Sequence, residues 1–309
     1  MRVFVTGASG WIGSGLVPEL IAAHHEVVGL ARSDDAAAAL VALGAEVHRG
    51  SLDDLDGLRT AAESADGVVH LAFRHDLAFT GDMAGAGSAD RKAIEVFGEA
   101  LAGSDRPLVI ASGTLGVAPG RIATEDDAPG GGTGAPVEGA YDRMANARYT
   151  VSLASRGIRS SVLRLPPTCH GDGDNGFMAM LVGIARDKGI SGYVGDGSAR
   201  WPATHRLDAA RAFRLALEQA PGGSTLHAVA EEGVPGRVFA EVIGRKLGVP
   251  VVAISPEDAM GHFGFLGLIL PLDSPASSER TREVLGWEPT HPGLLEDLGD
   301  DHYYTRSQN

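Results

Sequence analysis

The chain has 309 residues, of which 44% are hydrophobic and 21% charged, the usual composition of a globular protein. Its 40 acidic and 26 basic side chains give a net charge of −14 at pH 7, which disfavours nucleic acid and anionic membrane surfaces as partners. A single cysteine, Cys169, excludes an intrachain disulfide framework and favours a reducing cytoplasm.

The first half of the sequence predicts strands and helices in alternation. Short apolar runs predict strands at 2–6, 26–30, 45–48, 67–72, 108–111 and 158–165. Helical patterns predict helices at 13–23, 36–43 and 89–102. This alternation is typical of a parallel sheet with helices on both faces, so we expect an α/β, doubly wound fold.

The second half is richer in loops. Residues 113–139 contain mostly Gly, Pro, Ala and Asp and predict a long loop, whereas 236–247 predict a helix and 251–254 a strand. The longest apolar stretch, 263–272, is about half the ~20 residues that a membrane-spanning helix needs. The N-terminus lacks the apolar region of a signal peptide, so we expect a cytoplasmic protein with no membrane partner.

Residues 6–13, Thr-Gly-Ala-Ser-Gly-Trp-Ile-Gly, follow the first strand and open the first helix. Gly7 permits the tight turn, Gly10 lets the backbone approach a pyrophosphate, and Gly13 allows the helix to pack against the sheet. The helix N-terminus offers free N–H groups to phosphate. The loop therefore predicts a dinucleotide site that includes Ser9, Trp11 and Ile12 besides the three glycines.

This N-terminal spacing resembles that of the extended and atypical short-chain dehydrogenase/reductase family, the group that includes NAD-dependent epimerases and dehydratases. Later segments match the family's order of motifs, namely Gly67-Val-Val-His-Leu-Ala72, Val109-Ile-Ala-Ser-Gly-Thr114, 164–171, His205-Arg-Leu-Asp-Ala-Ala210 and Leu285-Gly-Trp-Glu-Pro289. The resemblance implies a Rossmann-type domain over 1–165 and about 207–230, and a smaller C-terminal substrate-binding cap over 166–206 and 231–309. It also implies a possible homodimer and a cofactor site lined by Ser51, Leu52, Leu71, Ala72, Phe73 and Pro167.

The residues at the end of the second predicted strand indicate which nicotinamide cofactor, NAD(H) or NADP(H), is preferred. Members that prefer NAD place a carboxylate there, but this chain has Ala31, followed by Arg32 and Ser33. A guanidinium and a hydroxyl suit a 2′-phosphate, so we expect NADP(H) in preference to NAD(H). Asp34 and Asp35 leave NAD(H) open, since either could reach the ribose.

The family's catalytic residues are a Ser or Thr, a Tyr, and a Lys four residues after the Tyr. The resemblance assigns the first role to Thr114, with Ser112 as the second choice, and the proton-transferring role to Tyr141. The alternative for Tyr141 is an ordinary surface residue of an amphipathic helix.

The lysine is missing, because its position is Ala145. Arg148 lies on the same helical face as Tyr141, about 10 Å further along the axis, whereas Arg143 would lie on the opposite side of a regular helix. An unassisted tyrosine has a pKa of about 10 and stays protonated at neutral pH. We therefore expect reduction to be favoured over alcohol oxidation, with Arg148 as the cation nearest the site.

Several aromatic and polar residues indicate the substrate side. Cys169 and His170 lie where the chain should pass the nicotinamide, and His170 could act as a general acid. The other predicted substrate residues are His75, Phe177 and Trp201. No pair of histidines has metal-ligand spacing, so no metal is expected.

These features predict NADPH-dependent reduction of a carbonyl or related C=X group in a small, apolar or aromatic molecule. Two alternatives stay open at this point. One is epimerisation or dehydration of a nucleotide sugar, disfavoured by the few basic residues of the C-terminal half, and the other is a non-catalytic NADP(H)-binding redox sensor.

Overall fold

The computed structural model describes residues 1–127 and 140–305, with the backbone alone at 79 and 140–142. The strands of this part are β1 (Arg2–Thr6), β2 (Glu26–Ala31), β3 (Glu46–Arg49), β4 (Gly67–His70), β5 (Pro107–Gly113), β6 (Arg159–Leu165), β7 (Thr168–His170), β8 (Ser191–Val194), β9 (Arg200–His205), β10 (Ser224–His227), β11 (Glu231–Pro235) and β12 (Val251–Ile254).

The α-helices of the same ranges are α1 (Gly13–Ala22), α2 (Asp34–Ala42), α3 (Leu55–Glu63), α4 (His75–Phe79), α5 (Met83–Ala100), α6 (Ala140–Ser152), α7 (Phe177–Lys188), α8 (Arg206–Gln219), α9 (Gly236–Leu247), α10 (Ala259–Phe263), α11 (Leu266–Ile269), α12 (Glu279–Leu285) and α13 (Leu294–Asp297). The predicted helix at 89–102 begins earlier than expected, at Met83. Its start is set by Asp82, whose carboxylate accepts a hydrogen bond from the Gly85 N–H at 2.8 Å.

The main sheet contains seven parallel strands in the order β10–β6–β5–β4–β1–β2–β3. Separate apolar clusters cover its two faces, one built around Leu16, Phe213 and Trp287 and the other around Phe4 and Phe97. The strands are apolar on both sides because helices bury both faces. The predicted doubly wound α/β fold is confirmed.

Chain segments after β6 also build two smaller sheets, with the orders β11–β9–β7 and β12–β8. A third apolar cluster joins them to α7, α9 and the C-terminal helices. The predicted division into a cofactor-binding domain and a substrate-binding cap stays a prediction. Within the ranges that the structure describes, no helix is both long and apolar enough to cross a membrane.

Asp208 lies in the first turn of α8 but does not cap this helix. His205 is the N-cap of α8, and its Nδ1 accepts from the Leu207 N–H. The fully buried Asp208 carboxylate instead accepts from the N–H groups of Thr290 and His291. It therefore anchors the C-terminal segment on α8.

Candidate active site

The glycine loop connects β1 to α1 at the carboxyl edge of the main sheet. Gly7 has a φ of +67°, and a Cβ there would lie 2.7 Å from the Ala72 backbone nitrogen. A Cβ on Gly13 would collide with the carbonyl oxygens of Gly7 and Ala8, the latter at 2.6 Å. Ser9 and Gly10 are exposed, so the loop presents a backbone cradle in front of the first turn of α1. This cradle, which side chains would fill, fits a pyrophosphate.

Trp11 and Ile12 complete the loop. The Trp11 indole N–H donates to the Cys169 carbonyl oxygen at 2.9 Å, and the Arg206 guanidinium lies 4.7 Å from the centre of the indole ring. The Ile12 carbonyl accepts from the Leu16 N–H and starts α1. Trp11 therefore holds the loop against β7.

A pair of arginines flanks the end of β2. Arg32 is exposed, and Ser33 caps α2 by accepting from the Ala36 N–H at 3.2 Å. Arg49 donates to the Ser33 carbonyl at 2.8 Å and to the Asp34 carboxylate at 2.6 Å. Arg49 was not among the predicted residues. The signal that could have found it is the parallel register, which pairs Ala31 with Arg49 at the strand ends.

The remaining predicted cofactor residues follow β3, β4 and β6. The Ser51 hydroxyl accepts from the Asp53 N–H, and Leu52 is buried. Residues 71–73 leave β4 beside the glycine loop, where the Ala72 N–H donates to the Thr6 hydroxyl at 3.2 Å. Pro167 lies in the short turn between β6 and β7. Positions after the carboxyl ends of the strands suit a bound dinucleotide.

Ser112 and Thr114 lie at the carboxyl end of β5, and both are buried. The Thr114 N–H donates to the Leu165 carbonyl at 3.0 Å, which fixes this turn against β6. Among the residues that the structure describes, the Thr114 hydroxyl has no hydrogen-bond partner. A buried hydroxyl without a partner is unfavourable by about 1–3 kcal/mol, so an oxygen-bearing ligand would satisfy it.

Tyr141 belongs to the first turn of α6, but its side chain lies outside the part of the structure that is described. Its predicted role therefore stays a prediction. Ala145, at the position where the family has lysine, lies on the same helix.

The arginine of α6 that reaches the strand ends is Arg143, whereas Arg148 is exposed. The Arg143 guanidinium donates to the Ala111 carbonyl on β5 at 3.4 Å and lies 4.3 Å from the centre of the Phe73 ring. The expected role of Arg148 beside Tyr141 stays a prediction, because the Tyr141 side chain lies outside the described part of the structure. Helix α6 packs on β5 and α5 with the Arg143 side facing inward.

A chain of buried polar groups runs from the glycine loop to α6. The Thr6 hydroxyl contacts His70 Nδ1 at 2.6 Å, and His70 Nε2 contacts Asp90 at 3.1 Å. The other Asp90 oxygen accepts from the Asn146 amide at 2.7 Å. Although burial opposes ionisation, the hydrogen bond and charge of His70 lower the pKa of Asp90. These groups were not predicted, since their partners are distant in sequence.

The predicted substrate residues divide into surface and core positions. His75 is a surface residue whose ring lies 5.2 Å from Phe73; partial burial of the ring and the Arg143 charge lower its pKa. Phe177 is partly buried and contacts the rings of Trp201 and Phe265 at 5.8 and 6.0 Å. Trp201 is only 1% exposed, so it is a core residue that supports Phe177 and does not line an open surface.

Cys169 and His170 end β7. Burial raises the pKa of Cys169, whose thiol donates to the Pro166 carbonyl oxygen at 3.5 Å, so the nucleophilic thiolate form is disfavoured. His170 Nδ1 lies 2.9 Å from the Asp297 carboxylate, and its buried Nε2 has no partner within the described ranges. Asp297 also forms a cluster with Asp300 and His302, in which the potential ligand atoms lie within 4.8 Å of one another. The contact with His170 accounts for one of the two Asp297 carboxylate oxygens.

Comparisons with known proteins agree with this geometry. An uncharacterized protein of Schizosaccharomyces pombe is 45% identical over 98% of this chain and 100% of its own length. A 4-hydroxy-2-methyl-3-oxo-4-farnesyl-3,4-dihydroquinoline-1-oxide ketoreductase of Stigmatella aurantiaca is 27% identical over 85% of this chain and 80% of its own. Among solved structures, the UDP-glucose 4-epimerase of Thermus thermophilus in complex with NAD has a TM-score of 0.74 over 99% of this chain and 100% of its own, at 20% identity.

The model of the NAD dependent epimerase/dehydratase family matches residues 3–228, which include the glycine loop, β5 and α6. The chain therefore belongs to the NAD dependent epimerase/dehydratase family.

Proposed function

We propose that the protein is an NADPH-dependent reductase that acts on a carbonyl or related C=X group of a small apolar or aromatic molecule. The observation that carries this proposal is the buried, unpartnered Thr114 hydroxyl at the end of β5, within the part of the chain that the structure describes. Thr114 and the glycine loop both follow carboxyl ends of strands of the main sheet, the edge at which ligands bind in open α/β sheets.

A bound reduced nicotinamide supplies the hydride for such a reaction. Thr114 then donates its hydroxyl proton in a hydrogen bond to the substrate oxygen and orients the carbonyl. Tyr141, from the first turn of α6, donates the proton that the reduced oxygen takes up. Because no lysine follows at Ala145, the phenol has no such cation to favour its phenolate form, and the acid role suits it better than the base role.

The NADP(H) preference rests on the groups around Ser33. Arg32 directly precedes Ser33, and the Arg49 guanidinium donates to the Ser33 carbonyl beside the start of α2. The Ser33 hydroxyl keeps its own proton for donation while its oxygen accepts from Ala36. Charge-assisted hydrogen bonds of this kind suit a 2′-phosphate. Asp34 opposes an anion there, but its charge is paired with Arg49.

The reductase chemistry is also supported by the similar ketoreductase of Stigmatella aurantiaca. The second candidate is epimerisation or dehydration, which the name of the family favours. The two differ in their cofactor balance, since a reductase consumes NADPH while an epimerase or dehydratase regenerates its cofactor within each turnover.

The test follows NADPH absorbance, with NADH in parallel, against a panel of aldehydes and ketones. We expect wild type to consume NADPH, Thr114→Val to lose at least ~10-fold in kcat/KM, and Thr114→Ser to retain most activity, because only the hydroxyl is required. Thr225→Val, on the outer strand β10, is the matched control. Equal rates for Thr114→Val and wild type would contradict the role of Thr114, and turnover of a nucleotide sugar without net cofactor loss would favour the second candidate.

A further inference from the structure

Arg143 is a cation placed among the ends of the central strands. Its guanidinium reaches the Ala111 carbonyl near the end of β5 and stacks on Phe73, which follows β4. The glycine loop borders the same edge, since Gly7 packs on the backbone of Leu71 and Ala72. Arg143 therefore faces the crevice between β1, β4 and β5 that the proposed cofactor would occupy.

The protein itself satisfies this guanidinium poorly. A guanidinium has five N–H donors, yet within the described residues Arg143 makes one hydrogen bond, the 3.4 Å contact to Ala111. The nearby carboxylate, Asp90, accepts from His70 and Asn146 instead. Burial lowers the pKa of Arg143, with Asp90 opposing, so these surroundings disfavour the charge. Because the side chain is only partly buried, the donors that the described residues leave unused are open to a ligand.

The Phe73 ring covers one face of the Arg143 guanidinium, so a ligand would approach in the plane of the guanidinium. A ring against one face of the guanidinium leaves the N–H groups, which point outward in its plane, free to donate. In-plane donors of this kind bind electron-rich oxygens. Arg143 is also a long cation two residues from Ala145, the position where a lysine is missing.

We propose that Arg143 is the ligand-binding cation of this crevice and donates hydrogen bonds to acceptor oxygens of a bound molecule. Two sources offer this chemistry, the nicotinamide-side ribose and phosphate of the cofactor, or an oxyanion of the substrate. The inference rests on the proposed function, because it assumes that a nicotinamide nucleotide occupies the glycine loop.

The experiment compares wild type with Arg143→Met and Arg143→Lys, and with Arg156→Met as the matched control, an exposed arginine that follows the same helix. Equilibrium titrations use three probes. These are NADPH, adenosine 2′,5′-bisphosphate, which lacks the nicotinamide half, and benzoate added to the NADP⁺-loaded protein as a probe for a substrate carboxylate. Thermal unfolding of each variant reports its stability.

We expect Arg143→Met to lower the affinity for one of the ligands by about 10-fold or more, since a charge-assisted hydrogen bond is lost. Weaker NADPH binding with unchanged bisphosphate binding identifies the cofactor as the source. Weaker benzoate binding with unchanged NADPH binding identifies the substrate. Arg143→Lys should recover part of the loss, and Arg156→Met should bind like wild type. The Tm of Arg143→Met should stay close to that of wild type, because within the described residues the partly buried guanidinium makes one long hydrogen bond.

Two outcomes overturn the inference. One is unchanged binding of all three probes by Arg143→Met. The other is an equal loss for all three together with a Tm lowered by several degrees, which indicates a purely structural role. If wild type itself fails to bind NADPH and NADH, the proposed function fails instead, so the two failures are distinguishable.

Discussion

The hydroxyl of Thr6 lies 2.6 Å from Nδ1 of His70, at the point where β1 enters the glycine loop. The Thr6 oxygen also accepts from the Ala72 N–H, and His70 Nε2 lies 3.1 Å from the Asp90 carboxylate. Together these contacts form one buried hydrogen-bonded network. It links the cofactor loop to α5 and, through Asn146, to the helix that carries Arg143.

Replacing Asp90 should break this chain at its charged member. Asp90→Asn puts an amide where the carboxylate accepts two hydrogen bonds, so one buried donor loses its acceptor. We expect the free energy of unfolding to fall by about 2 kcal/mol or more, measured by urea denaturation at pH 7. As a control, Asp187→Asn at an exposed position should change the free energy of unfolding by less than ~0.5 kcal/mol. A similarly small effect of Asp90→Asn would show that the buried hydrogen bonds of Asp90 contribute little to stability.

Stability should fall in mild acid because of His227. Its Nδ1 contacts the Ser277 carbonyl at 2.8 Å and its Nε2 contacts Arg164 at 3.1 Å, an arrangement that fits only the neutral ring. Burial, together with the Arg164 charge, lowers the pKa of His227 from 6.5 to about 4. On acidification the unfolded protein therefore takes up the His227 proton before the folded protein does. The neutral ring's contribution to the free energy of unfolding is complete above pH 6.5 and is lost as the pH falls from 6.5 to about 4.

Between pH 7 and pH 5 the loss from His227 should reach up to about 2 kcal/mol, measured as the difference in urea unfolding at the two pH values. His227→Gln should be less stable than wild type at pH 7 but should lose less on acidification. His24→Asn is the control, since His24 is exposed and Asn tolerates its φ of +62°. Identical pH dependence in His227→Gln and wild type would rule out this assignment.

Because the glycine loop is closely packed, alanine should lower NADPH affinity at Gly13 but not at Gly15. Gly13→Ala would force the Gly7 and Ala8 carbonyls to move, so we expect NADPH affinity to fall at least ~10-fold, by fluorescence titration. A Cβ at Gly15, further along α1, would have the flexible Leu207 side chain as its nearest neighbour, at 3.3 Å. Gly15→Ala should therefore retain affinity, and an equal loss in both variants would point to helix damage instead of loop geometry.

The arginines beside Ser33 should set cofactor preference. Arg49→Ala and Arg32→Ala should each lower the affinity for NADPH by about 10-fold and leave NADH nearly unchanged, because only NADPH has the 2′-phosphate. Arg59→Ala, a partly exposed arginine on α3, is the control. A parallel loss of both cofactors, or none, would show that these guanidinium groups do not contact the phosphate.

Local sequence pattern alone predicted the glycine loop and its place in the fold. The glycines at 7, 10 and 13 follow a short apolar run, and no other residue permits that turn and close helix approach, so the sequence predicts both the loop and its place after β1. The positions of Thr114 at the end of β5 and of Arg32 and Ser33 after β2 follow from the same strand–helix alternation.

Only the tertiary structure decided which arginine of α6 faces the site and what Asp208 and Asp90 bind. Helical periodicity relates Arg148 to Tyr141, but the packing of α6 on β5 and α5 turns Arg143 inward and leaves Arg148 in solvent. Asp208 contacts a segment more than 80 residues away, at His291, which no local signal indicates. Such contacts depend on how elements pack, because burial and partners are properties of the assembled layers and not of the sequence around a residue.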